Sequence, residues 1–328
     1  MTHRALVCES LTEDLSGLAV RAVPTPAPQH GQVLVRIRAA ALNFPDLLMT
    51  QGRYQFKPEL PFVPGMEAAG EVISVGAGVE HVTAGDAVLV HARYGALAEC
   101  MLAAAAEVRP LPAGLDWAGA AAFHAAAITA YVALVRRACL LPGETLLVHG
   151  ASGGVGMAMV QLGKHLGAQV IATGRSEEKL GVVRALGADH IVNLAADMRE
   201  EIMRITNGRG VDVVMDAIGG DVFDASLRCL GWGGRLLVVG FVGGRIPAVK
   251  ANYILIKNLS ILGVRAGEYG RRDPLRGAAN VREIDRLASA GVFKPHIGAR
   301  LLLQDATDGL RMLAAGSATG KIVIEFPG

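Results

Sequence analysis

From Pro142 onward the chain alternates short apolar runs with helix-like segments, and this rhythm restricts the fold more than any other feature. "ETLLVHG" reads as a buried strand, "MAMVQLGKHLG" as a helix stopping at Gly167, and "AQVIATG" as the next strand. "SEEKLGVVRALG" follows as a helix, with Ser176 as N-cap and two acids in its first turn. "HIVNL", "VDVVMDAIG" and "GRLLVVGF" continue the strands, separated by the helices "MREEIMRITNG" and "VFDASLRCL". "YILIKNLSILGV" adds at least one more strand. Such alternation predicts an α/β chain with a parallel, doubly wound sheet. The first hundred residues differ: Val33, Val35 and Ile37 alternate with more polar positions, and "EVISVG" and "DAVLVH" are short strands. A β-rich domain over 1–124 and 265–328, interrupted by a doubly wound domain over 125–264, is the expected layout.

Bulk properties agree with two packed domains. The chain has 328 residues, 52% of them hydrophobic and 19% charged, which suits a large core and excludes disorder. A net charge of +2 without a Lys/Arg cluster excludes a nucleic-acid footprint. Cys8, Cys100, Cys139 and Cys229 are far apart and form no C-x-x-C, so reduced thiols in a cytoplasm are expected. The opening "MTHRALVCES" lacks the apolar core of a signal peptide. "WAGAAAFHAAAITAYVALV" has the length of a membrane span. It is mostly alanine and carries His124 and Thr129, so a buried or domain-linking helix is expected.

The strongest site signal is "VHGASGGVG", between a strand and a helix. Its spacing, Ala151-x-Gly153-x-x-Gly156 with Gly150 just before, is a dinucleotide fingerprint whose first glycine is alanine. Small residues let backbone approach a pyrophosphate, and the helix N-terminus supplies N–H donors. Gly150, Ala151, Ser152, Gly153, Gly154, Val155 and Gly156 are therefore candidate cofactor contacts, and the doubly wound domain reads as a Rossmann domain. The second strand ends Thr173-Gly174-Arg175-Ser176, without the acid that would grip a ribose 2′-OH. Arg175, with Lys179 a turn later, suits a 2′-phosphate and hence NADPH. The plainer readings are a solvated Arg175 and a Glu177 that reaches the ribose.

Other chemistries find no pattern. No G-x-S-x-G elbow, H-E-x-x-H or close His–Cys cluster occurs. Ser152 reads as a phosphate donor, and His149 and His124 as packed residues.

The succession "ALNFPDLLMTQGRY", "LPFVPGMEAAGEVISVGAGV", "AGDAV", "ITAY", "VLVHGASGGVG", "DAIGG", "RIPAVKANYILIKNLSILGV" and "GKIVIEF" resembles the zinc-free quinone oxidoreductases of the medium-chain dehydrogenase/reductase superfamily, over nearly the whole chain. The resemblance implies a GroES-like catalytic domain, a Rossmann domain, NADPH, and hydride transfer to quinones or other conjugated carbonyl compounds. Zinc alcohol dehydrogenases of the superfamily carry a cysteine ligand in the segment matching "ALNFPD" and a histidine ligand before the acid of "GMEAAG"; here Asn43 and Met66 stand there. No metal site is expected. By resemblance Asn43 and Tyr54 line the acceptor pocket, Asn43 as an amide donor and Tyr54 as a phenol and stacking face; the bland alternatives are a turn-capping Asn and a half-buried aromatic. Thr129, Gly240, Phe241, Val242, Gly263 and Val264 match positions near the nicotinamide, and Ile218, Gly219 and Gly220 the turn under the adenosine. Leu194 and His124 depart from common family residues. Glu67 is expected to hold a buried hydrogen bond or ion pair.

Two other functions stay open. A 2-enoyl thioester reductase would need basic surface for a phosphate, which Arg265, Arg271, Arg272 and Arg276 could supply. An NADPH-binding structural or regulatory protein would show little turnover. The apolar run "ANYILIKNLSILGV", placed near a sheet edge, predicts a homodimer.

Overall fold

The computed structural model describes residues 1–195 and 197–327, and its backbone divides into two compact units. In chain order the first elements are β1 (Thr2–Cys8), β2 (Leu18–Pro24), β3 (Gln32–Ala41), α1 (Phe44–Thr50), β4 (Glu67–Val75), β5 (Ala87–His91), β6 (Cys100–Ala104) and β7 (Val108–Pro110). Helix α2 (Trp117–Tyr131) runs on as a π-helical turn over Val132–Arg137. Then follow β8 (Thr145–Val148), α3 (Gly154–His165), β9 (Gln169–Gly174), α4 (Glu177–Ala185), β10 (His190–Asn193), α5 (Met198–Ile205), β11 (Val211–Asp216), α6 (Gly220–Cys229) and β12 (Leu230–Val238). The chain continues through α7 (Ala251–Lys257), β13 (Ser260–Gly263), α8 (Ala266–Arg272), α9 (Pro274–Ser289), β14 (Ile297–Leu302), α10 (Ala306–Ala315) and β15 (Lys321–Glu325).

The first unit, Met1–Ala125 with Lys294 to the C-terminus, is the β-rich half, expected to be GroES-like. Its main sheet has seven strands in the order β14-β15-β3-β4-β5-β7, with β6 also paired to β3. Strand β3 holds the sheet together: it pairs antiparallel with β15, β4 and β6, and Val33, Val35 and Ile37 are buried along it.

The second unit, Ala126–Phe293, carries six parallel strands in the order β10-β9-β8-β11-β12-β13. Numbered from the unit's own first strand this is 3-2-1-4-5-6, the Rossmann order. Leu146, Leu147, Val170, Ile171, Val213 and Val214 are fully buried, as strands covered on both faces must be. The winding reverses between β8 and β11, which is where a ligand is expected.

Two expectations shift. The run "ANYILIKNLSILGV" is only partly a strand: its first half is α7, ended by Asn258 in the left-handed conformation at φ 54°, and β13 begins after it. The second domain boundary also moves. The expected return to the β-rich half at 265 falls at Lys294, because α8 and α9 pack on the doubly wound unit. Arg137 Nε donates to the Gly263 carbonyl (3.1 Å), Arg136 Nε donates to Asn280 Oδ1 (2.9 Å), and Ile284 and Leu287 of α9 are buried. Gly328, the last residue of the expected layout, lies outside the described residues.

The apolar stretch Trp117–Arg137 is long enough to cross a membrane by length and composition, yet 78% of its most apolar window is buried inside the protein. If 265–293 is integral to the second unit, Ile284→Ala should lower stability by about 2–5 kcal/mol, as a core truncation does. Urea unfolding followed by circular dichroism checks this, and a loss under about 0.5 kcal/mol would mark a dispensable surface hairpin.

Candidate functional site

On the doubly wound unit the expected cofactor residues gather where parallel strands end. Strand β8 ends at Val148, and the chain turns through His149 and Gly150, whose φ is 60°. Gly153 is the N-cap of α3, and its N–H donates to the Gly150 carbonyl (3.0 Å). A Cβ on Gly156 would stand 2.4 Å from the Gly150 oxygen and 2.7 Å from the Ala151 Cα, so glycine is required there. Ala151 takes the place of the usual first glycine without strain: it is fully buried and its N–H donates to the Thr173 carbonyl (3.2 Å). Thus Gly150, Ala151, Ser152, Gly153, Gly154, Val155 and Gly156 form one turn over the N-terminus of α3.

The neighbouring strand ends complete this edge. Thr173 is buried at the end of β9, Gly174 closes the strand, and Arg175 is exposed at the tip. Ser176 Oγ accepts from the Lys179 N–H (3.3 Å), the expected cap. The Glu177 carboxylate accepts from Asn193 Nδ2 (2.5 Å), so Glu177 is held against β10. Leu194, the departure noted from the family, donates its N–H to the Gly174 carbonyl (2.8 Å) and packs on the core beside it. At β11 the buried Asp216 carboxylate accepts from the N–H groups of Ile218 (2.7 Å) and Gly219 (3.0 Å). Burial raises the Asp216 pKa, and those two donors oppose the shift. The loop after β12 lies on that turn: Val242 N–H donates to the Ala217 carbonyl (3.0 Å) and Gly243 N–H to the Ile218 carbonyl (2.9 Å). Gly240, Phe241 and Val242 therefore sit beside Ile218, Gly219 and Gly220, and the Phe241 and Val242 side chains are exposed. Gly263 ends β13, and Val264 N–H donates to the Val238 carbonyl (2.9 Å). Thr129 is half-buried on α2 and belongs to no strand end.

His149 braces this edge from below. It is fully buried, with Nδ1 at 2.8 Å from Thr173 Oγ1 and Nε2 at 2.7 Å from Ser226 Oγ. Ser226 Oγ donates to the Val222 carbonyl (2.6 Å), so it accepts from His149 Nε2–H, and Nδ1 accepts from Thr173. Burial pulls the His149 pKa down to about 3, so the ring is a neutral strut, as a packed histidine should be.

The other unit has a polar centre of its own. Glu67 opens β4 and is fully buried. Its Oε1 accepts from Lys321 Nζ (2.7 Å) and from Asn43 Nδ2 (3.0 Å), and its Oε2 accepts from the Ala125 N–H (2.8 Å). Lys321 Nζ also donates to Asn43 Oδ1 (2.7 Å), closing a triangle of carboxylate, ammonium and amide. The expected buried ion pair of Glu67 is present, and its partner is the residue sequence reasoning missed. Asn43 donates through Nδ2 to Glu67 and to the Ala41 carbonyl (3.3 Å), so both amide hydrogens are engaged within the protein. It is the N-cap residue of α1. Tyr54 is half-buried and packs with Met66 against Cys8, Met49 and Phe62.

Nearby, Asp46 is fully buried in α1, accepts from the Asn43 N–H (2.8 Å) through Oδ2, and leaves Oδ1 without a hydrogen-bond partner among the described residues. Burial pushes its carboxyl up to about 7, against the pull of the Asn43 N–H and the Lys321 ammonium. His124 is buried, accepts from Arg109 Nη2 at Nδ1 (2.7 Å), and lies 4.1 Å from the His91 ring. Burial, with His91 and Arg109 adding to it, holds the His124 pKa well below the usual range, a packing role.

These donors do not suit Zn²⁺. Met66 offers a thioether, and the Asn43 amide and Glu67 carboxylate already bind an ammonium. Among the described residues no group of three or more His, Cys, Asp or Glu is placed to hold a metal.

Comparison with known proteins agrees with this architecture. Residues 29–143 match the alcohol dehydrogenase GroES-like domain and residues 154–280 the domain described as a zinc-binding dehydrogenase. Fold and site together define a medium-chain dehydrogenase/reductase. A quinone oxidoreductase-like protein 2 homolog from Nematostella vectensis is 37% identical over 98% of this chain and 89% of its own. A probable oxidoreductase from Mycobacterium abscessus has a TM-score of 0.90 at 36% identity, with 99% of both chains covered. A mycobacterial protein solved in complex with NADPH has a TM-score of 0.90 at 28% identity, over 98% of this chain and 100% of its own. The chain belongs to the quinone oxidoreductase family of that superfamily and is a quinone-oxidoreductase-like reductase.

The buried Asp46 makes a prediction with a definite sign. Its folded-state pKa of about 7 lies above the ordinary 3.8, so the folded protein keeps a proton that the unfolded chain releases. Stability is therefore lost as pH rises between about 4 and 7 and is level above that. Asp46→Asn keeps an oxygen for the Asn43 N–H and removes the loss. The melting temperature of the variant should gain on the wild type across that window, by the equivalent of a few kcal/mol. A wild type that gains on Asp46→Asn as pH rises would contradict it.

Proposed function

We propose that the protein is a cytoplasmic, NADPH-dependent reductase that passes hydride to a quinone or another conjugated carbonyl compound, without zinc. The observation that carries this reading is the Lys321 ammonium bound to both Glu67 and Asn43. A metal would polarise the oxygen of an alcohol or simple carbonyl. Here the matching positions hold Asn43 and Met66, and the adjacent charge is already neutralised, so the acceptor must take up negative charge itself. A quinone or enone does so through its own π-system. NADPH, when bound, supplies the hydride.

The residues on the doubly wound unit fit that cofactor. Gly150 to Gly156 would take the pyrophosphate on backbone N–H groups, with no side chain at Gly156 to block its approach. Thr173, Gly174, Arg175 and Lys179 would meet the adenosine ribose and its 2′-phosphate, flanked by Ile218, Gly219 and Gly220. Gly240, Phe241, Val242, Gly263, Val264 and Thr129 would border the nicotinamide. Tyr54 would offer its phenol and ring face to the acceptor, and Asn43 would hold the local backbone in place. NADPH in the mycobacterial neighbour supports the choice of cofactor. The exposed Arg175 and the Glu177 carboxylate turned to Asn193 favour the phosphorylated form. The four cysteines, free in the structure, favour the cytoplasm.

Arg175→Ala should raise the KM for NADPH at least ~10-fold, the loss of one charge-assisted contact, and leave turnover with NADH within about twofold. Steady-state kinetics with 1,4-naphthoquinone measures both, and a wild type that uses NADH as well as NADPH would sink the assignment.

We also propose a homodimer joined along β13, the edge strand of the parallel sheet. Leu255 and Ile256 of α7, which precedes it directly in the chain, are exposed at 81% and 66%. Light scattering should return twice the chain mass of 34.2 kDa, and a monomer at micromolar concentration refutes the pairing.

A further inference from the structure

A cavity of about 350 Å³ opens on the doubly wound unit, lined by Val132, Arg137, Gly263, Arg265, Glu268, Tyr269, Arg272, Asp273 and Arg276. Four guanidinium groups face two carboxylates there, an excess of two positive charges. That equals the formal net charge of the whole chain, so this is a concentrated basic site on an otherwise balanced protein. The carboxylates hold the outer arginines: Glu268 pairs with Arg272 (3.2 Å), and Asp273 with Arg276 (3.3 Å). Arg137 is fixed by its Nε on the Gly263 carbonyl (3.1 Å), which leaves its terminal nitrogens for a ligand. Arg265 makes no close salt bridge among the described residues and acts on Glu268 through its charge at longer range. Val132 adds apolar wall, and the Tyr269 side chain hydrogen-bonds Arg276.

We propose that this cavity holds the phosphate of an acceptor that carries one on a flexible arm, so that the conjugated carbonyl is a 2-enoyl thioester of a phosphopantetheine-type carrier. The proposal rests on the reductase reading above. Guanidinium groups match phosphate oxygens in pairs, and carboxylate-held guanidiniums are preorganised for it. The position decides which phosphate. The cofactor's 2′-phosphate belongs at the tip of β9, and the cavity begins at Gly263 on β13, four strand steps away in the sheet. At about 4.8 Å per step that is about 19 Å, too far to serve Arg175's ligand. The cavity lies instead at the strand end expected beside the nicotinamide, where the acceptor must be. In the reaction the thioester gains a hydride at its β-carbon and a proton from water at its α-carbon. Its C=C bond becomes single, and NADPH is oxidised to NADP⁺.

The test compares crotonyl-CoA with crotonyl-N-acetylcysteamine, the same conjugated thioester without a phosphate, and with 1,4-naphthoquinone. The wild type and the double variant Arg265→Gln/Arg272→Gln are assayed with NADPH, circular dichroism confirming that the variant folds. The wild type should favour crotonyl-CoA by at least ~10-fold in kcat/KM, and the variant should lose ~10–100-fold on it through KM. Turnover of the short thioester and of the quinone should be unchanged. Crotonyl-phosphopantetheine separates the sources. A loss that persists with it assigns the arm's own phosphate, which a carrier protein shares; a loss confined to crotonyl-CoA assigns the nucleotide phosphates. Equal use of the two thioesters, an equal slowing of all acceptors in the variant, or reduction of the quinone alone overturns the proposal and leaves the reductase reading standing. If no acceptor is reduced, that reading fails, and calorimetric titration of free CoA decides the cavity alone. Binding lost in the variant supports it, and no binding to the wild type overturns it.

Discussion

A carboxylate with no solvent exposure costs several kcal/mol unless a partner meets it inside the protein, and Glu67 is met by Lys321. Much of the GroES-like unit follows from satisfying that acid. Glu67 opens β4 beside β3, and Lys321 opens β15 on the other side of β3. Asn43, two residues past the end of β3, closes the triangle with its amide, and the Ala125 N–H takes the remaining carboxylate oxygen. Removing either charge would strand the other, which is more damaging than lacking both. The arrangement fixes α1, and with it Asp46, a carboxyl that burial holds nearer its neutral form.

The same centre balances its charge from within the chain. An imidazole and a thiolate would need a divalent ion, whereas an amide and a carboxylate can be satisfied by an ammonium from the protein itself. The charge is then balanced before any ligand arrives. On the function proposed above, the demand for electronic stabilisation then passes to the acceptor, and the nucleotide-binding strand ends have only to hold and orient.

The Rossmann sheet was legible because its signals are local. Each buried strand is a short apolar run, and each turn that must approach a phosphate shows its glycine, as Gly150 and Gly156 do. Even the alanine at position 151 was readable, since only its size matters there. What was hidden depends on distance along the chain. Lys321 reads as an ordinary lysine at the start of a strand, and nothing nearby reveals a carboxylate 254 positions away. Asn43 was recognisable as a site residue, but the direction of its amide hydrogens depends on Glu67 and Ala41. The boundary at 265 misled because α8 and α9 are amphipathic helices whose apolar side suits either half, and only packing against the π-helical turn assigns them. Tyr253 to Lys257 looked like a strand because an apolar run that short fits either period, and Asn258 alone marks the helix end.

The discontinuity of the GroES-like unit has a consequence for synthesis on the ribosome. The doubly wound unit is one unbroken segment, Ala126–Phe293, and all its strands are in hand once that segment has emerged. The earlier-made half is not complete at that stage: β3 still lacks β15, and Glu67 still lacks its counter-ion. Domains usually mature in the order in which they are translated. Here the order is inverted, with the middle of the chain able to consolidate first and the beginning kept waiting for the last strand. During that interval Glu67 must stay hydrated, so the incomplete half has to remain open to water until Lys321 arrives.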